Sequence, residues 1–95
     1  MHEITWKGKR RTVEARRFGN GRICLVLMPG EHRVSVNVPE IPLAGNETFI
    51  KDYSENTGVL DALIQGGIVS PIGETVPSGF VTLPLVTILP EDLLA

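Results

Sequence analysis

Helical spacing occurs at one place in this chain, and that single occurrence limits the folds open to it. A polar run from Lys51 through Asp52, Ser54, Glu55 and Asn56 leads into apolar positions at Val59, Leu60, Leu63 and Ile64. This i, i+1, i+4, i+5 stripe lines one face of a helix. Asp52, Ser54 and Asn56 are residue types that accept hydrogen bonds from the free N–H groups of a helix start, and Gly66-Gly67 supplies a C-cap. Everything else reads as strand, turn or loop. In 95 residues there is room for one core. The expectation is therefore a single α+β domain over residues 1–95, a mainly antiparallel sheet of about five strands with one helix packed across it. The helix acts as the lid, because too little chain is left for a second sheet.

The strand signals follow in order. Ile4 to Lys7 reads as a strand anchored by Trp6, with Gly8-Lys9 as its turn, and Thr12 to Phe18 as the next strand. Gly19-Asn20-Gly21 offers the left-handed dihedrals of a tight hairpin. The run Ile23-Cys24-Leu25-Val26-Leu27-Met28 has no polar face, which predicts a central strand covered on both sides, by the helix and by a loop or partner. After the turn at Pro29-Gly30-Glu31, residues Arg33 to Val38 alternate with three valines on one face, the pattern of a half-exposed antiparallel strand. Pro39 to Glu47 is a connector interrupted by two prolines. Beyond the helix, Ile68, Val69 and Ile72 supply a short strand and Pro77-Ser78-Gly79 a turn. A last strand runs from Phe80 to Leu89, placed at a sheet edge or a bulge by Pro84. An apolar edge of this kind invites a partner strand or a second copy of the chain.

The net charge of −2 conceals a division: residues 1–38 carry a net +5 and residues 39–95 a net −7. Lone Cys24 has no internal disulfide partner, the opening residues lack the apolar core of a signal peptide, and no apolar run approaches membrane-spanning length. A cytoplasmic protein of a bacterial host, with no membrane contact, is the expectation. His2, His32 and Cys24 are the soft metal ligands, and no CxxC, HxH or HExxH spacing joins them, so no metal and no cofactor is expected. GxSxG is absent, and Cys24 lies inside a core strand where a thiol serves as packing. These absences point away from an enzyme.

Two polar clusters remain as binding candidates. Lys9, Arg10, Arg11, Arg16, Arg17 and Arg22, with Lys7, could form a basic ridge along one hairpin, for a protein or for the phosphates of a nucleic acid. The bland alternative is a solvated hairpin face, and the acidic second half opposes a polyanion. Asp52, Tyr53 and Glu55 lie in the second cluster. Helix capping explains Asp52, whereas an exposed tyrosine gives contact area at low entropic cost.

The run Phe49-Ile50-Lys51-Asp52-Tyr53-Ser54-Glu55-Asn56, followed by Gly58, Leu63, Gly67-Ile68 and Val76-Pro77-Ser78-Gly79-Phe80-Val81, resembles a family of small uncharacterised proteins encoded by bacterial phages, plasmids and conjugative elements. The resemblance implies an α+β domain of unknown activity with no catalytic residues to carry over. It also implies a non-enzymatic, protein-binding accessory factor, with stoichiometric inhibition of a host defence complex, as by anti-CRISPR proteins, among its roles. A nucleic-acid-binding module using the basic hairpin is the alternative, and a homodimer through an exposed strand edge is compatible with either.

Overall fold

The computed structural model describes residues 2–94. Among these, the strands are β1 (His2–Trp6), β2 (Lys9–Arg17), β3 (Ile23–Met28), β4 (His32–Arg33), β5 (Ser35–Val36), β6 (Glu47–Ile50), β7 (Val69–Ser78) and β8 (Val81–Ile88). The α-helix, α1 (Val59–Gln65), lies between β6 and β7, and single turns of 3-10 helix cover Ser54–Asn56 and Glu91–Leu93. The chain is α+β with one α-helix, and its strand pairings are antiparallel. The strands exceed the expected five and divide into two four-stranded sheets, ordered β1-β2-β3-β4 and β5-β6-β8-β7. Very short strands make this possible, since β4 and β5 have two residues each.

The segment from Arg33 to Val38, expected as one strand, changes sheet at Val34. Val34 N donates to Leu25 O of β3 at 3.0 Å, while Val34 O accepts from Lys51 N just past β6 at 2.8 Å. Next to it, the buried Ser35 hydroxyl accepts from Leu25 N at 2.9 Å, a side chain standing in for a ladder carbonyl. The three valines consequently separate. Val34 joins the central core, whereas Val36 and Val38 pack on the far side of the second sheet.

The central core lies between the sheets. Ile4, Trp6, Val13, Leu25 and Leu27 meet Ile50, Val69, Val86 and Ile88, with Val59 and Leu63 of α1 closing the side. Helix α1 packs against β1 and β7, an edge strand of each sheet, and so closes the gap between sheets instead of lying across one. The two sheets cover each other's inner faces, which the expected single sheet needed the helix to do. A smaller cluster of Phe49, Leu83 and Leu85 occupies the other face of the second sheet beneath Val38, Ile41, Leu43 and Tyr53. Strand β3 is covered on its core side by the second sheet instead of by the helix, and on the other side Cys24 and Val26 line a hollow with the side chains of Arg16, Phe18 and Arg33.

Local chemistry accounts for most turns. Lys7 and Gly8, with φ of 53° and 74°, make the two-residue turn between Trp6 and Lys9, one residue earlier than expected. Gly19-Asn20-Gly21 forms the β2–β3 turn, with Gly21 N donating to Phe18 O at 2.8 Å and Gly21 at φ 85°. At the helix start, Asp52 Oδ1 accepts from Gly58 N at 3.0 Å and Leu60 N at 3.1 Å. Ser54 and Asn56 do not share that role, because both lie in the preceding 3-10 turn. At the helix end, Gly67 N donates to Ile64 O and Ile68 N to Leu63 O, with Gly67 at φ 74°, which is a Schellman cap. Strand β8 is interior, between β6 and β7, so Pro84 sits at no edge. It pairs with Thr75 where the register of β7 shifts and just beyond the last pairing with β6, the bulge that proline at this position allows.

Candidate functional site

The structure distributes the basic candidates over two faces of the first sheet. Side chains alternate along β2, so Lys9, Arg11 and Arg17 share the side of Val13, while Arg10 and Arg16 project from the other. Several act as internal ties. Arg11 Nε donates to Met28 O at 3.2 Å and its Nη2 to Pro29 O at 3.0 Å, and Arg17 Nη2 donates to Leu94 O at 2.7 Å. Arg22 holds the connector, its Nη1 donating to Val38 O at 2.7 Å and its Nη2 to the carbonyls of Pro39 and Ile41. Arg16 bridges Glu14 at 2.9 Å and Glu31 at 3.1 Å. Exposed Lys9 makes no hydrogen bond or ion pair among the described residues, and exposed Arg10 reaches Glu3 only at 4.0 Å. Of the expected ridge, these two remain free to meet a partner.

The candidates before the helix are also largely engaged. Asp52 caps α1, as described. Tyr53 is half-buried against the Phe49–Leu83–Leu85 cluster, with Lys51 Nζ 5.6 Å from its ring centre. Glu55 forms an ion pair with Lys51 at 2.6 Å, and this ammonium, together with backbone and Ser54 hydrogen bonds, lowers the carboxyl pKa to about 2. Lys7 Nζ donates to Glu55 O at 2.7 Å and stands 4.6 Å from the Trp6 ring centre. Underneath, buried Asn56 accepts from His32 Nε2 at 2.6 Å, and Trp6 Nε1 donates to Thr57 O at 3.3 Å. The segment 51–57 is thus a clasp fastening β1 and β4 to the helix start.

A different feature emerges at the opposite end of the second sheet. Strands β7 and β8 form a long hairpin closed by Gly79 and Phe80, with Ser78 paired to Val81 and Gly79 at φ 62°. A left-handed glycine at the first central position sets a two-residue turn and carries the next side chain to the tip. That side chain is Phe80, which is fully exposed. Ile72 on β7 and Leu89 after β8 are exposed as well. From Val69 to Leu89 the sole charged residue is Glu74. In the sequence Phe80 stands at the start of an apolar strand, whereas in the structure it lies in the turn between Ser78 and Val81. The signal that places it is the single glycine between two runs of strand character, which makes Phe80 a turn residue.

Cys24, His2 and His32 are engaged in separate places. Burial raises the pKa of the Cys24 thiol despite nearby Arg33, so the reactive thiolate is disfavoured. His2 Nε2 donates to both carboxylate oxygens of Asp92, at 2.8 and 2.9 Å, tying the first strand to the C-terminal 3-10 turn. Among the described residues, no three His, Cys, Asp or Glu side chains are grouped to hold a metal, and no helix is long and apolar enough to cross a membrane. The chain matches no protein-family model, no curated protein and no solved structure.

Proposed function

We propose that this chain is a non-enzymatic protein-binding module that engages its partner through the tip of the β7–β8 hairpin. The observation that carries this reading is Phe80, a large aromatic side chain left fully in water on a nearly uncharged hairpin. Buried aromatic anchors dominate the energetics of protein interfaces, and a phenylalanine held by two paired strands loses little freedom on docking. The partner surface is an apolar pocket that receives Phe80. The resemblance of residues 49–81 to proteins of mobile elements supplies a setting, namely stoichiometric inhibition of a host complex. Nucleic acid is the weaker reading, because Arg11, Arg16, Arg17 and Arg22 are spent on internal contacts.

The test is affinity capture of the tagged chain from a bacterial host, with and without nuclease, at low and moderate salt, run beside Phe80→Ser. The substitution removes no packed side chain and leaves stability within about 0.5 kcal/mol. A defined protein complex that survives nuclease and is lost with Phe80→Ser supports the reading. A complex retained by Phe80→Ser, or material lost on nuclease treatment, overturns it.

A further inference from the structure

The face of the first sheet that turns away from the central core holds a hollow of its own. Cross-strand partners share a face, so Arg16 stands beside Cys24, and Glu14 beside Val26 and Arg33, all opposite the side that carries Val13, Leu25 and Leu27 into the core. Buried Cys24 and Val26 form the floor of this hollow, with Phe18, Glu31 and Arg33 around it. It encloses about 430 Å³. Small-molecule clefts run from roughly 300 to 1,000 Å³.

The charges at this hollow do not pair off one to one. Arg16 binds two carboxylates at once, Glu14 at 2.9 Å and Glu31 at 3.1 Å, so one negative charge is left over. Both contacts of Glu31 use Oε1, and its Oε2 meets no donor among the described residues. Arg33 is the opposite case. It forms no ion pair among the described residues, and its guanidinium stacks 5.4 Å from the Phe18 ring centre. Stacking occupies the flat of the guanidinium and leaves its edge, a fork of N–H groups, for a carboxylate. An unpaired cation, a surplus carboxylate and an apolar floor therefore share one small space.

We infer that this hollow binds a free α-amino acid with an apolar side chain. The ligand carboxylate accepts from the Arg33 fork, its ammonium donates to Glu31 Oε2, and its side chain lies on Val26 and Cys24 beside Phe18. The charge balance selects a zwitterion. A phosphate or a nucleic-acid backbone would bring negative charge against Glu14 and Glu31, and an amine alone would meet the Arg33 cation. This site lies on the first sheet, apart from the Phe80 tip on the second, and either can fail without the other.

The experiment titrates the full chain with L-phenylalanine and follows its amide chemical shifts, beside phenylalaninamide, which lacks the carboxylate, and N-acetylphenylalanine, which lacks the ammonium. Phenylalanine should shift Val26, Glu31 and Arg33 most and bind with a Kd below about 1 mM. Each blocked analogue should bind about tenfold more weakly, the worth of one charge-assisted hydrogen bond. Arg33→Gln should weaken phenylalanine about tenfold and leave phenylalaninamide unaffected. Glu31→Gln should do the same for phenylalanine while leaving N-acetylphenylalanine unaffected. Both side chains are exposed, so neither variant should change the melting temperature by more than a few degrees. Phe80→Ser should bind phenylalanine as the native chain does. The inference falls if phenylalanine binds no more tightly than about 1 mM, if a blocked analogue matches it, or if the shifts map elsewhere. It also falls if Arg33→Gln weakens phenylalaninamide as much as phenylalanine, or if inorganic phosphate binds the same residues more tightly than phenylalanine does.

Discussion

Gly66 shows how closely single residues are fitted. Its φ is not left-handed, so alanine meets no backbone strain there, but the added methyl collides with Ile4. Gly66→Ala should cost about 1–3 kcal/mol by overpacking, read as a lower urea midpoint with an unchanged slope. Lys51 and Glu55 set a pH dependence whose sign follows from their shifts. The Glu55 pKa is lowered from 4.5 to about 2 in the folded chain, so its stabilisation is present above 4.5 and is lost as pH falls toward 2. The Lys51 pKa is raised above 10.5, so its contribution is present below 10.5 and is lost at higher pH. The pair therefore stabilises between about pH 5 and 10. Acid titration of Lys51→Met should show a smaller loss of stability between pH 4.5 and 2 than the native chain. Arg22 combines three carbonyl contacts with a planar fork that lysine cannot reproduce. Arg22→Lys should loosen the connector, and limited proteolysis between residues 39 and 46 reports it.

At the scale of elements, α1 was the most legible part of the sequence. Its stripe placed Val59 and Leu63 in the core, and Gly66-Gly67 formed the expected cap. Leu63→Asp should abolish the cooperative thermal transition, because it places a charge with no partner at a fully buried position. The hairpin at Gly19-Asn20-Gly21 and the doubly covered strand at Ile23–Met28 were equally readable. Less visible was the sheet change at Val34, because period-2 alternation persists through a strand that swaps partners. Alternation predicts one face for all three valines, but that face is not kept where the chain leaves one sheet for the other, and Val34 parts from Val36 and Val38. The internal contacts of the basic candidates were hidden for a related reason: composition shows that Arg11, Arg17 and Arg22 are charged, but only the fold shows carbonyls within their reach. Ser35 is a second hidden tie. Ser35→Ala strips Leu25 N of its buried acceptor and should cost about 1–3 kcal/mol in denaturant unfolding.

For the molecule as a whole, the central core lies between the two sheets, and the fully exposed Phe80 stands at one end of the second. The exposed Phe80 and the exposed Lys9 and Arg10 lie on different sheets. If the prolines of β7 keep copies apart, then Pro71→Thr with Pro77→Thr should associate with rising concentration in sedimentation velocity while the native chain does not. Val34 carries a further consequence. Its N–H and C=O bond to different sheets, so the two sheets are tied together through a single residue and its neighbours. Under tension applied between the chain ends, neither sheet can peel away while that rivet holds. Stretching a single molecule should therefore give one sharp rupture, with no plateau from a half-opened form.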